Sequence, residues 1–359
     1  MSSIFIILAV LWLFTQVSIC AQPISTKGQF WSSGLTGSDV PVNQSSFEST
    51  IGYTPTLSLY RELNADRLLD IEWAYRFDRS YSGDSLFSNN EKNHRLWIRY
   101  SSEKLEARLG LQKIVFGPSQ ILRTLSWFDT IDLKDPTGQT DGVEAFRLRW
   151  FPSNLLSVWS WVIQDKNETL SFGGRTELSA DIGEWGFTVH HDPSDSLQTV
   201  GQTGALIDQP HNRVAIDYRY DGFIGFWNES AVIFSNNTQI TMYTIGADYT
   251  LPVAGGILMM TESMYINNPK TKSNQKFTAF MASMPFGMIN QLMLITQIDW
   301  EENHTYNYVR WSATYDRFSL NFIVSKSPKR VDYAIPVQEL PNTIAGFGTG
   351  FQFMFIYNH

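Results

Sequence analysis

Apolar side chains recur on every second position through most of this chain. In RLLDIEWAYRF, Leu69, Ile71, Trp73, Tyr75 and Phe77 share one face of an extended strand, and Asp70, Glu72, Ala74 and Arg76 share the other. In HNRVAIDYRY, Val214, Ile216, Tyr218 and Tyr220 oppose Arg213, Ala215, Asp217 and Arg219. Leu105, Ala107, Leu109 and Leu111 likewise oppose Glu106, Arg108, Gly110 and Gln112. Two more strands read from Val309, Trp311, Ala313 and Tyr315, then from Phe318, Leu320, Phe322 and Val324. The chain closes on FGTGFQFMFIYNH, with aromatics at Phe347, Phe351, Phe353, Phe355 and Tyr357 on alternate positions. NLLSVWSWVI and GGILMMTESM are apolar on both faces and are placed as strands because their neighbours are strands.

The connections alternate between short and long. Short ones fall around Asn64, Ser102, Ser153, Gly183, Gly222, Gly255, Gly287 and Asp316. Long ones are expected over 79–94, 116–142, 191–212, 266–276 and 325–346. Transmembrane barrels show this rhythm, with short periplasmic turns and longer outside loops. An upward strand at 26–36 makes the count even, at 18 strands; 16 is the alternative if one weak hairpin is loop.

The two faces differ in chemistry, and that chooses the solvent. One is rich in Trp, Tyr and Phe. The other carries Arg, Asp, Glu, Gln, Ser and Thr, too many charges for a dry core. A soluble sandwich or propeller would also alternate, but it leaves no place for a large aromatic face. The expected fold is therefore all-β: a closed antiparallel transmembrane β-barrel with lipid outside and water inside. Closure is required because each unpaired backbone group in hydrocarbon costs several kcal/mol.

Composition agrees. The 359 residues include 14% aromatics, and 27 basic against 35 acidic side chains leave no basic nucleic-acid footprint. The first residues read as a signal peptide (1–21) with an apolar core over 4–14 and cleavage before Gln22, although no Lys or Arg precedes the core. An uncleaved anchor is the competing reading. Cys20 is the only cysteine, so residues 22–359, read as a single barrel, have no thiol chemistry.

The stretch from Arg95 to Phe151 resembles a family of porin-like outer-membrane barrels. The residues that carry the likeness are Arg108-Leu109-Gly110-Leu111-Gln112, LRTLSWFD, Asp135-Pro136 followed by TDGV, FGGR at 172–175 and the closing FQFMFIYNH. The likeness implies bacterial outer-membrane localisation and engagement of the barrel-insertion machinery during biogenesis. The closing strand departs from the commonest form of that signal, because Asn358 and His359 follow Tyr357. Other expected partners are outer-membrane lipid, small hydrophilic solutes and, as one option, further copies of the chain.

Function is expected to centre on the third external loop, 115–141. Its amphipathic middle (Ile121, Leu122, Leu125, Trp127, Phe128) suits a loop folded into the lumen. Its charges, Arg123, Asp129, Asp132, Lys134 and Asp135, are expected to face the wall arginines Arg99, Arg108, Arg147, Arg149 and Arg175. Opposed acidic and basic rows would select solutes by charge and dipole. The competing reading is a loop that plugs or stiffens the barrel, its ion pairs being structural. No catalytic set, metal site or cofactor is expected: His190 and His191 point to opposite faces of one strand and cannot chelate together. The leading function is a channel for passive or weakly selective diffusion. Alternatives are a plugged barrel for a specific or apolar solute, and a non-transport scaffold or adhesin.

Overall fold

The computed structural model describes residues 24–359 apart from 65, 201–204, 237, 254, 270–272 and 331–340. The expected signal peptide lies outside the described residues. In chain order the strands are β1 (Ile24–Gly37), β2 (Phe47–Asn64), β3 (Arg67–Ser82), β4 (Ser85–Ser102), β5 (Leu105–Gln112), β6 (Val143–Ser153) and β7 (Leu156–Gln164). There follow β8 (Leu170–Ala180), β9 (Gly183–Asp192), β10 (Gln198–Val200), β11 (Ala205–Ile207), β12 (His211–Asp221), β13 (Gly225–Ser235) and β14 (Thr238–Leu251). The last are β15 (Ile257–Asn268), β16 (Ser273–Phe286), β17 (Asn290–Asp299), β18 (His304–Thr314), β19 (Phe318–Lys326) and β20 (Thr349–Asn358).

All but β10 and β11 join one 18-stranded antiparallel sheet. It closes on itself where β1 pairs with β20, from Gln29 opposite Asn358 to Gly37 opposite Gly350. β10 and β11 form a separate hairpin in the connection from β9 to β12. Closure leaves no free sheet edge, the condition for a sheet in hydrocarbon. The terminal His359 extends the seam: it exchanges backbone hydrogen bonds with Gly28 at 3.1 and 3.0 Å, and its ring meets the Tyr53 hydroxyl at 2.8 Å. Gly28 leaves room for this contact, since a Cβ there would lie 2.5 Å from the His359 imidazole and the ring would have to shift. The two residues after Tyr357 thus belong to the ladder.

Every short turn expected from sequence joins two strands at one end of the barrel. The other end differs from expectation. Residues 79–94 are not a loop: β3 and β4 continue, 16 and 18 residues long, to a two-residue turn at Gly83 and Asp84. About 10 residues suffice to cross a bilayer, so this hairpin stands beyond it. Its polar residues keep pairing because a ladder needs no apolar face once it is in water. The same extension shortens the expected loop over 266–276 to 269–272.

The outward face is apolar as expected: Trp73, Phe146, Trp150, Phe172, Phe187, Phe351 and Phe353 are exposed. Phe347 is a correction. β20 begins at Thr349, and Phe347 is buried in the preceding connection under the Arg330 guanidinium, 4.0 Å from its ring. The inward face is polar on β3 to β6. On β13 to β17 it is not: Ile233, Met242, Met260, Met264, Met281, Met293 and Ile295 all lie there, buried. Apolar inward residues survive on that side because chain covers them.

Candidate functional site

The covering chain is the connection from β5 to β6, residues 113–142. Its backbone is fastened to two glutamates that project from the apolar wall. Glu229 on β13 accepts from the N–H groups of Ser119 (2.8 Å) and Leu125 (2.9 Å). Glu262 on β15 accepts from Gln120 (2.7 Å), Ile121 (2.9 Å), Leu122 (2.6 Å) and the Trp227 indole N–H (3.2 Å). Both carboxylates are fully buried, at 0% exposure. A carboxylate in that position is tolerable only because donors surround it. Thr244 on β14 completes the clasp, donating to the Leu122 carbonyl at 2.9 Å. Gly117 permits the approach: its φ is 90°, and a Cβ there would come within 2.3 Å of a Glu229 oxygen.

Apolar contacts reinforce the clasp. Ile121, Leu122 and Leu125 are buried in one cluster with Met242, Met264 and Ile266. Phe116 stacks on Trp161 of β7 with centroids 5.9 Å apart, and Phe128 meets the His190 ring of β9 edge-on at 5.0 Å.

Beyond the clasp the segment runs on around the inner wall. Lys134 donates to Gln297 of β17 (3.2 Å), and its carbonyl accepts from the Tyr308 hydroxyl of β18 (2.7 Å). Gln139 reaches Gln29 of β1 (2.7 Å) and Thr54 of β2 (3.3 Å). Arg95 of β4 donates to the Thr140 carbonyl (2.6 Å), and Lys92 pairs with Asp141 (2.8 Å). Burial disfavours the Asp141 carboxylate, but the Lys92 hydrogen bond and charge outweigh it and hold its pKa below the ordinary value.

The wall from β4 to β8 has a different character. Arg99, Arg108 and Arg147 stand directly opposite one another on β4, β5 and β6. Arg99 grips Asp70 with two hydrogen bonds, 2.8 and 2.7 Å, and Arg147 holds Glu106 at 2.6 Å. Glu106 also lies 3.5 Å from Arg99 and 3.6 Å from Arg108. Arg175 holds Asp217 at 2.6 Å and Glu177 at 2.8 Å, and Arg149 lies 3.9 Å from Glu177. Five guanidinium groups thus share four carboxylates, Asp70, Glu106, Glu177 and Asp217. Tryptophans set their planes: Arg108 lies 4.3 Å over Trp97, and Arg149 lies 4.0 Å over Trp159.

The five expected wall arginines therefore come together. The five expected loop charges do not join them. Arg123 and Asp129 pair with each other inside the segment. Asp132 and Asp135 accept backbone N–H bonds from Lys134 and Thr137, each at 2.9 Å, near β17 and β18. The wall arginines take their partners from the wall itself: Asp70 and Glu106 sit on strands adjacent to theirs, Glu177 shares β8 with Arg175, and Asp217 reaches Arg175 across β9. Sequence reasoning missed Glu229, Glu262 and Thr244. The signal was present: each glutamate is a lone carboxylate among inward apolar residues, Trp227-Glu229-Ala231-Ile233 and Met260-Glu262-Met264. His190 faces inward and accepts from the Trp161 indole at 3.2 Å, whereas His191 meets Asn212 at 2.8 Å on the outer face.

Comparison with solved structures identifies the architecture. OccD3 (OpdP) of Pseudomonas aeruginosa superposes with a TM-score of 0.59 at 8% identity, over 96% of this chain and 92% of that one. OccAB4 of Acinetobacter baumannii matches with a TM-score of 0.59 at 10% identity, over 94% and 99%. Salmonella typhi OmpF matches with a TM-score of 0.51 at 10% identity, over 94% and 98%. The chain has the fold of the outer-membrane porins. No protein-family model and no curated protein matches its sequence.

Proposed function

We propose that the protein is a porin-like channel of the bacterial outer membrane, exported on a cleaved signal peptide (1–21). Small hydrophilic solutes diffuse through it passively or with weak selectivity, and 115–141 forms its constriction. The observation that supports this is the contrast inside one closed barrel: a wall of charged, tryptophan-backed guanidinium groups, and a chain segment fastened to the opposite wall. Paired charges on the lumen side keep water and replace part of a solute's hydration shell. The outer aromatic face takes outer-membrane lipid, and the barrel-insertion machinery is its partner during biogenesis.

The test is conductance in planar bilayers, with the full chain and with 119–134 deleted. The channel reading expects ion conductance, larger in the deletion. Unchanged conductance removes the segment from the pore. A second reading, a plugged barrel for an apolar or specific solute, is favoured by the course of the segment past β7, β13, β15, β17 and β1. It expects no conductance from the full chain and a rise in thermal stability with the cognate solute.

A further inference from the structure

Inside the barrel, Phe116, Trp127 and Phe128 of the segment close with Trp161 of β7 and His190 of β9 into one aromatic cage. The Trp127 ring lies 5.6 Å from Phe116 and 6.4 Å from His190, centroid to centroid. Phe128 lies 5.9 Å from both Phe116 and Trp161. Two N–H groups of this cage have no acceptor among the described residues. One is the indole N–H of Trp127, a residue 8% exposed. The other belongs to His190, 3% exposed. Its Nδ1 accepts from the Trp161 indole at 3.2 Å, which assigns the proton of the neutral ring to Nε2, and that nitrogen is buried without a partner.

A cation borders the same cage. Arg213 of β12 stands directly opposite His190 across the β9–β12 ladder and is 3% exposed. Its guanidinium carbon lies 5.6 Å from the centre of the Trp127 ring. Its Nε donates to His211 Nε2 at 3.0 Å, and its Nη2 reaches Asp192 at 3.3 Å and Gln198 at 3.5 Å. Charge-assisted bonds are ordinarily shorter, about 2.7–2.9 Å. Asp192 is also engaged by the Ser194 N–H at 3.0 Å. Nη1 takes no part in these contacts. Donors from the segment, from β9 and from β12 thus meet at one place, and a buried donor without an acceptor is costly.

We propose that a halide-sized inorganic anion binds in this cage, held by the Trp127 and His190 N–H groups and the Arg213 guanidinium. The chemistry of the lining selects it. The unmet groups are donors, so a cation has nothing to bind. A water would satisfy the donors but would bring two O–H groups of its own, and the surrounding rings offer them no lone pair. A halide only accepts. The rings are also compatible neighbours for it, because their edges carry the positive side of the aromatic quadrupole. The ion ties the segment to β9 and β12, as Glu229 and Glu262 tie it to β13 and β15. There a fixed carboxylate accepts backbone N–H groups; here an exchangeable anion accepts side-chain ones. How firmly the segment is held then depends on the anion in the medium, whether or not solutes pass the lumen.

The experiment is thermal unfolding of the detergent-purified full chain in sodium chloride, sodium bromide and sodium gluconate at equal ionic strength. The midpoint should rise saturably with chloride and bromide and not with the bulkier gluconate. Trp127→Phe keeps a ring and removes the N–H; its half-saturating chloride concentration should be about tenfold higher, as for one lost charge-assisted contact. Arg213→Gln should abolish the halide response and Arg213→Lys should retain it. Each variant is read against itself in gluconate, which separates the response from any change in baseline stability. Crystals of the unaltered protein soaked in bromide should show one anomalous peak among Trp127, His190 and Arg213. Equal midpoints in chloride and gluconate overturn the proposal, as does an unchanged half-saturation in Trp127→Phe. So does a water at that place with no bromide signal. A midpoint that climbs without saturation, equally with and without the Trp127 indole, is a general salt effect and also overturns it. A bromide peak with no halide response is an adventitious ion only, with the same consequence.

Discussion

The inner wall of this barrel has two halves that obey the same alternation and reach opposite compositions. From β4 to β8 the inward positions carry Arg99, Arg108, Arg147, Arg149 and Arg175, paired with carboxylates and backed by tryptophan. From β13 to β17 they carry Ile233, Met242, Met260, Met264, Met281 and Ile295, interrupted by Glu229 and Glu262. The difference lies in what covers each wall. Charges need water or partners, so the arginine wall builds a network that can stay wet. The methionine and isoleucine wall is dry because the 113–142 segment lies on it, and its two glutamates serve backbone donors.

The comparison breaks most strongly at Glu262. Glu262→Ala leaves three backbone N–H groups and the Trp227 indole without their acceptor. At about 1–3 kcal/mol for each stranded donor, the loss should exceed that of any single wall arginine. Urea unfolding in micelles should shift to a much lower midpoint, and single-channel current should become noisy as the segment leaves the wall. A quiet channel of unchanged stability would show that the clasp does not hold the segment.

Leu125→Ala tests the apolar part of the same wall. Leu125 is 1% exposed, so the cavity should cost about 2–5 kcal/mol, read as the unfolding midpoint. The wall arginines should respond differently, in selectivity more than in stability. Glu106→Gln removes the carboxylate shared by Arg99, Arg108 and Arg147, and the reversal potential in a salt gradient should move toward anions. Arg108→Gln should move it toward cations. If neither moves it, ions do not pass that wall.

The smallest effect is expected at Asp141. Its folded pKa lies below the ordinary carboxylate value, so the Lys92 clasp is fully present above the ordinary value and is lost as pH falls through the lowered one. The pair is about half exposed, so Asp141→Asn should change stability little at neutral pH. It should flatten the acid limb of the stability profile.

Much of the fold was legible. Alternation marked the strands, and small or polar residues marked the turns around Asn64, Ser102, Ser153 and Gly287. These signals are local, set by a side-chain period of two and by turn chemistry. The 79–94 hairpin was misread because polarity was taken for loop, whereas β3 and β4 pair into solvent. Phe347 kept the aromatic rhythm of β20 yet belongs to the connection before it, since Arg330 rather than lipid covers its ring.

The sequence by itself determined that the sheet alternates, that its apolar face is too large for water, and that five arginines lie on inward positions. It did so because each of these follows from neighbours a few residues apart. Only the tertiary structure decided where the long segment lies. That depended on Glu229 and Glu262, more than 100 positions away from the backbone N–H groups of the segment that they accept from. A buried carboxylate has no stable place until those N–H groups arrive, so its role is set by closure of the barrel around the segment.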